Sequence, residues 1–551
     1  MPNKPEQVFY DLRIGVTGHR NLSQKKAVTE AVKRIVTYLD QLICDHDNIF
    51  TEWSVISPLA KGADTIVARS FLEKPDTRLE VFLPFPLEIH RKKLTDPTEL
   101  AEFNQLFERA SVYYEPPQDS KGYLTVGKEI VNTCEILIVI WDGKETKGKG
   151  GTADIVKYAL ESGRTIIRID AENPNNPPKL LLTRKNKEEE NCIPEYYEFP
   201  LPKTAAKLLV NYYQFVEFCR DKSLTTTEHA LLTAQCRHEV KTLAKAVDLP
   251  EKQIEPVLEY LIPTYVRADE LAKRYQKLFV LASKAIPIYS AIAVSVLVFQ
   301  VIFFPDEFWI IWLEICSMLG AKAMPNISKK LRWYEKWIDY RILAEQLRTT
   351  IYTSIVLNKN SLTVSTPAPK TFPRYNTQHN WIDLLIENQL KMTINRLGIP
   401  ENFSATKKFV ITGLLDDQKK WHIKHSFRMI NTEHLLRNYL RILFFITLTL
   451  AVLHLSNIEF LKHLYFEKWG IFLAITLPFW ETAIHSIGKQ QKYEIVAKRS
   501  NKMANELNQI VELAEKSTSM AELRKIITHA MQAVKLETFE WRAFVNFDSC
   551  E

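Results

Sequence analysis

The residues best suited to chemistry sit in three short loops. Gly15-Val16-Thr17-Gly18-His19-Arg20 closes an apolar run. Glycines there let the backbone approach a phosphate, and Arg20 offers a guanidinium that pairs with one bidentately. Ser57-Pro58-Leu59-Ala60-Lys61-Gly62-Ala63-Asp64 joins a second β-branched run to a helical pattern. It presents the Ser57 hydroxyl and free N–H groups, with Gly62, at an electropositive helix start. Asp64 reads either as a catalytic carboxylate or as a first-turn acid that complements the helix dipole. The third loop, Trp141-Asp142-Gly143 and then Gly148-Lys149-Gly150-Gly151-Thr152-Ala153-Asp154, puts three glycines and a threonine before a helix. That is the composition of an anion cradle. Trp141 is suited to stacking on a base and Asp142 to accepting ribose hydroxyls. The competing structural reading makes Trp141 a cap on a sheet end and Asp142 a turn residue. Pro84-Phe85, after a further apolar run, adds an apolar wall.

Elements able to gather these loops are legible in the same region. Short β-branched runs at Leu12 to Thr17, Trp53 to Ser57, Leu79 to Leu83, Val112 to Tyr114, Ile136 to Ile140 and Thr165 to Ile169 alternate with helical patterns. These patterns include Ser23 to Leu42, with Ser23 as N-cap, and Thr152 to Ser162. The alternation predicts a Rossmann-like parallel α/β sheet over residues 1–170, with all three loops at the C-terminal ends of its strands. Glycine usage agrees: the chain has 15 glycines in 551 residues, and ten fall between Gly15 and Gly163.

A net charge of +7 is mild for this length and implies no direct nucleic-acid binding. Seven cysteines, odd in number, widely spaced and without a CxxC pair, argue against a zinc site and a disulfide framework; no metal and no resident cofactor is expected. The N-terminal residues lack the succession of a signal peptide, which predicts a cytoplasmic N-terminus.

Residues 171–203 turn polar and read as a linker. Beyond it an all-α membrane region is expected in two parts, 204–380 and 381–551. The uncharged run 285–305 is long enough for a bilayer, and 308–324 returns from it in a tight hairpin. A second hairpin follows at 442–458 and 469–487. Basic residues such as Lys284, Lys329, Lys330, Arg332, Lys489 and Lys492 flank one side of both hairpins, which predicts that side, and both termini, to be cytoplasmic. The two halves read as an internal repeat near a 160-residue offset. Glu270 and Arg274 correspond to Glu433 and Arg437, Leu343–Leu347 to Met503–Leu507, and Trp381 to Trp541, the tryptophans as packing anchors. Glu314 and Glu481, inside the second spans, line an ion pathway or sit shallowly at the headgroups. His454 and His485 read as interfacial.

The motifs GVTGHRNL, SPLAKGAD, LPF and IVIWDGKETKGKGGTADIV together resemble the SLOG domain, a nucleotide-sensing relative of the Lonely Guy phosphoribohydrolases and of the N-terminal region of TRPM channels. The hairpin spacing and surrounding helices resemble the SLATT class of two-span effectors, here in tandem. The resemblance implies a nucleotide-derived messenger, a cyclic nucleotide or an ADP-ribose derivative, as ligand. Gly18, His19, Arg20, Ser57, Gly62, Trp141, Asp142, Gly150, Gly151 and Thr152 would line its pocket. It further implies a homo-oligomeric effector of bacterial antiviral defence that permeabilises the inner membrane. The enzymatic relatives carry a GGxGTxxE-type loop, whereas this chain has GKGGTAD with Asp154 in place of the glutamate. A membrane-tethered nucleotide N-glycosidase using Arg20 or Asp154, and a nucleotide-regulated ion channel, are the alternatives.

Overall fold

The computed structural model describes residues 8–43, 49–116, 122–144, 150–185, 192–199, 208–222, 225–356, 381–397, 402–455 and 464–546. Gly148 and Lys149 of the third loop, much of the second hairpin's loop, and the side chains of His454 and Trp541 lie outside the described residues. The chain forms two units, Met1–Asp221 with Thr366–Asn388, and Lys222–Ser365 with Gln389–Glu551.

The first unit is built on an eight-stranded sheet. Strands β1 (Val8–Gly18), β2 (Ile49–Ser57), β3 (Thr77–Phe82), β4 (Val112–Tyr114), β5 (Ile136–Trp141) and β6 (Thr165–Asp170) are parallel, in the order β4-β3-β2-β1-β5-β6. All six predicted strands are present, most of them longer than predicted. The stretch read as a linker instead adds β7 (Lys179–Lys185) and β8 (Cys192–Glu198), antiparallel at the β6 edge. Their runs are short and charged, so their partners are apparent only once the sheet edge is in place. The unit also continues through α7 (Val210–Arg220) and takes back residues 381–388, beyond the predicted boundary at 170.

Helices α1 (Lys25–Leu42), α2 (Ala63–Leu72), α3 (Leu87–Lys93), α4 (Pro97–Phe107), α5 (Tyr123–Thr133) and α6 (Thr152–Glu161) connect the parallel strands. β5 is central and buries Ile136 to Ile140 without alternation, as a strand covered on both faces must. Its side chains Leu137 and Val139 join Ile130, Val131, Ile155, Val156 and Ile166 in one apolar cluster, each large side chain contributing about 1.5–3 kcal/mol by burial. α1 turns Val28, Val32, Ile35 and Leu39 inward at helical spacing. Its N-cap is Gln24 rather than the predicted Ser23, and no side chain caps it.

The second unit is helical. Its elements are α8 (Thr226–Ala246), α9 (Glu251–Ser283), α10 (Ala285–Phe303), a 3-10 turn at Phe308–Ile310, α11 (Ile311–Lys330) and α12 (Trp333–Thr353). Then follow α13 (Trp381–Arg396), whose first half belongs to the first unit, α14 (Phe403–Val410), a π-turn at Ile411–Asp416, α15 (Asp417–Leu455), α16 (Leu464–Gln491), α17 (Tyr493–Lys516) and α18 (Met520–Asn546). Four stretches, within Glu251–Phe303, Phe308–Lys330, Phe403–Leu453 and Lys468–Lys516, are long and apolar enough to cross a membrane, matching the four expected spans. The long flanking helices pair as α9 with α12 and α15 with α17. In the first pair Tyr275 meets Tyr340 and Phe279 meets Trp337; in the second, the Ser426 hydroxyl donates to the Ala497 carbonyl. Each second span ends in the same way. Arg332 (φ 54°) and Lys492 (φ 47°), both non-glycine residues in the left-handed region, join span to following helix 160 residues apart.

Candidate functional site

The sheet reverses its winding between β1 and β5, because β1 to β4 build outward one way and β5 and β6 the other. Open α/β sheets bind ligands at the strand C-termini beside such a switch point. There lies a cavity of about 490 Å³ lined by His19, Arg20, Asn21, Leu22, Ser23, Lys25, Lys61, Asp142, Ala171 and Glu172. That volume is in the range of small-molecule sites.

Two interlocked loops shape it. The His19 N–H donates to the Ile140 carbonyl at 3.0 Å, and the Ala63 N–H donates to the His19 carbonyl at 3.1 Å. Gly62 holds φ +93°, and a Cβ there would fall on the backbone oxygens of His19 and Arg20. Gly18 is equally tight: a Cβ would run into Ala63 and the Ile140 carbonyl. Both glycines therefore act behind the cavity, bringing the His19-Arg20 backbone to its edge, and neither lines it.

Across the switch point, His19 Nε2 lies 3.1 Å from Asp142 Oδ1 and 3.3 Å from the Asp142 backbone nitrogen. Nε2 can donate to the carboxylate in one tautomer and accept from the backbone N–H in the other. Desolvation works to raise the Asp142 carboxyl, but the Lys144 N–H and His19 outweigh it and hold the group below its ordinary value. Arg20 lies over the Tyr123 ring at 4.5 Å, Lys61 pairs with Asp96 at 3.2 Å, and Lys144 bridges Glu172 and Asp142. Arg20, Lys25 and Lys61 thus line the same hollow as Asp142 and Glu172. Cations suited to phosphate oxygens share it with carboxylates suited to hydroxyls.

The remaining predicted residues lie elsewhere. Ser57 is fully buried, and its hydroxyl accepts the Leu59 N–H at 3.0 Å, organising a turn in which Leu59 takes φ 55°. The Trp141 indole donates to the Lys144 carbonyl, and the Arg168 guanidinium covers its ring at 5.2 Å. The Pro84 carbonyl accepts the Gly122 N–H. Gly150, Gly151 and Thr152 open α6 beside Leu124, outside the cavity lining. There the Asp154 carboxylate accepts the Gly150 N–H at 2.7 Å, so an acid of the chain itself occupies that donor.

Sequence reading passed over Lys25, one lysine among many on a helix, and Glu172, inside the supposed linker. Lys61 stood in a quoted motif without being singled out. Beside the cavity, Asp64 is buried with Oδ1 lacking a hydrogen-bond partner. Burial pushes its carboxyl up to about 8 against the Ala60 backbone bond and Arg20. His90 is buried on α3 against Phe103, and burial, with Arg20 and Lys93, lowers it to about 4. In the second unit Glu314 and Glu481 are half-buried. They are not equivalent in the repeat, since a 160-residue offset pairs Glu314 with Ala474 and Glu481 with Ala321. Among the described residues no cluster of potential metal ligands occurs.

Fold and helices together define a membrane protein that carries a Rossmann-like α/β unit. No family model matches the chain, and no curated protein matches it in sequence.

Proposed function

We propose that this protein is a ligand-gated membrane effector: its α/β unit, read as a SLOG domain, binds a nucleotide-derived messenger, and its two SLATT-like hairpins permeabilise the inner membrane of a bacterium under viral attack. One observation carries the reading. The switch-point cavity is lined by Arg20, Lys25 and Lys61 together with Asp142 and Glu172 in a chain that also has four membrane-length helices. Phosphates of a cyclic nucleotide or an ADP-ribose derivative suit the cations, and ribose hydroxyls suit the carboxylates. The flanking lysines and arginines support a cytoplasmic side for both termini and the α/β unit. Binding gates the membrane helices to the extent that the ligand prefers one assembly state, and a preference of about 5.5 kcal/mol turns a 1:99 balance into 99:1.

The test is dye release from liposomes holding the full-length protein, challenged with cyclic dinucleotides, cyclic oligonucleotides and ADP-ribose derivatives, each recovered and checked for integrity. Release by one intact compound, lost in Arg20→Ala, is the expected result. Consumption of a compound without release would replace this reading with the N-glycosidase, and release without any compound would replace it with a constitutive channel.

A further inference from the structure

The helical run that leads into the second hairpin buries every fourth residue over a long stretch. Thr406, Val410, Leu414, Gln418, His422 and Ser426 are each no more than 6% exposed. An α-helix completes a turn in 3.6 residues, so steps of four from Thr406 to Ser426 would carry a stripe about 200° round the axis. The π-turn at Ile411–Asp416 offsets part of that drift. Its i→i+5 bonding takes in one residue more than an α-turn, which sets the chain back by about 100°. Gln418, His422 and Ser426 are thereby returned toward the side that buries Thr406 and Val410.

The two sides of this joint are held differently. Upstream the contacts are close and apolar: Phe409 meets the Tyr352 ring of α12 at 5.4 Å between centroids, and a Cβ on Gly413 would lie 2.4 Å from Tyr352 and 2.7 Å from Leu243. Downstream they are polar. Arg348 of α12 pairs with Asp417, Gln418 Nε2 donates to Glu345 at 3.2 Å, and the Ser426 hydroxyl donates to the Ala497 carbonyl at 2.9 Å. His422 is buried, with Nε2 3.8 Å from Glu537 and no hydrogen-bond partner for Nδ1 among the described residues.

If the π-turn closed into α-helix, each downstream residue would take the place of the one after it. Asp416, which here pairs with Lys419 at 2.9 Å, would then face Arg348 in place of Asp417. Trp421 would replace the poorly partnered His422, and a His425 ring N–H would replace the Ser426 hydroxyl as donor. Only Asp417 in the place of Gln418, beside Glu345, is a poorer match. That like-charge contact makes the π register the resting one. We infer that the π-turn is a register switch: the part packed on Tyr352 and Leu243 stays fixed while α15 turns by about 100° between two sets of contacts, carrying the first span of the second hairpin with it. The inference rests on the helical unit alone, so its failure leaves the nucleotide reading standing.

Disulfide trapping in the full-length chain in native membranes tests it, read by mass spectrometry of the linked peptides. Cys236 is changed to alanine, because its thiol lies close enough to Arg348 to feel that charge. Arg348→Cys with Asp417→Cys reports the π register, and Arg348→Cys with Asp416→Cys the α register. Arg348→Cys with Lys419→Cys is the control, since Lys419 faces Asn508 of α17. The 348/417 pair should link fastest, and the 348/416 pair about ten to a thousand times more slowly, as the minor state of a two-state element, yet faster than 348/419. Deleting Thr412, an exposed residue of the π-turn, removes the extra residue and leaves one register. In that variant 348/417 should still link, which reports a folded joint, and 348/416 should fall to the rate of 348/419. A 348/416 pair that never exceeds 348/419 in the undeleted chain overturns the switch, whether or not the deletion variant folds. So does a 348/416 link that survives the deletion unchanged.

Discussion

His19 and Asp142 meet across the switch point, with Nε2 to Oδ1 at 3.1 Å, although 122 residues lie between them in the chain. β1 and β5 are hydrogen-bonded neighbours, and Gly18 and Ile140 pair in register, so each strand delivers its next residues to the same edge. The contact joins the two loops that sequence reading had assigned to phosphate and to ribose. Asp142→Asn should keep the fold and weaken ADP-ribose or cyclic-nucleotide binding about tenfold, since a charge-assisted hydrogen bond contributes roughly 1.5–3 kcal/mol. Titration calorimetry on the full-length protein reads it, and unchanged affinity would remove Asp142 from the site.

Gly62→Ala should be more damaging than its size implies. The residue holds φ +93°, and the added methyl meets the Arg20 and His19 carbonyls. A cost of roughly 1–3 kcal/mol is expected, with faster hydrogen exchange at the Ala63 amide that donates to His19. Exchange at wild-type rates would mean that the two loops are not interlocked.

Asp64 gives a pH signature. Its carboxyl rises from 3.8 to about 8 because it is buried, so between those values the folded chain holds a proton that the unfolded chain has released. Its contribution to stability is complete below about pH 4 and is lost as pH rises through about 8. Asp64→Asn should flatten the fall in thermal stability between pH 5 and 8, by an amount on the order of 4 kcal/mol. Parallel curves for the two proteins would show that Asp64 ionises normally. His90, lowered from 6.5 to about 4, acts oppositely: its contribution is present above pH 6.5 and lost as pH falls through about 4.

Arg13 bonds Asp11 at 3.1 Å and Glu387 at 2.9 Å, which ties α13 to β1 within the first unit. Arg13 and Asp11 are both buried, so Arg13→Met strands a charge and should cost roughly 3–5 kcal/mol. Glu387 is 44% exposed, and Glu387→Gln should cost no more than about 1 kcal/mol. Chemical denaturation followed by Trp381 fluorescence separates the two; equal losses would show that the exposed partner carries the contact.

Arg332→Gly and Lys492→Gly should each stabilise the helical unit by about 1 kcal/mol, because both positions are left-handed and glycine removes the Cβ clash. Thermal unfolding in detergent measures it. A gain at only one position would break the equivalence of the repeats.

Periodicity alone determined much of this protein. The six parallel strands, the helices between them and the four spans follow from apolar spacing and length, which are local properties that the fold leaves intact. Spacing also exposed the repeat, and the shared left-handed joints at Arg332 and Lys492 give it a structural counterpart. Tertiary structure alone decided which loop residues share a surface. Gly18, Gly62 and Ser57 have the composition of ligand contacts, yet the crowding of β1 against β5 and α2 spends them on backbone packing. Lys25, Lys61 and Glu172 look like ordinary surface charges until sheet order brings them round His19 and Asp142. β7 and β8 were illegible for a related reason: a short charged strand takes its identity from the edge it pairs with, and that edge exists only after β5 and β6 are in place.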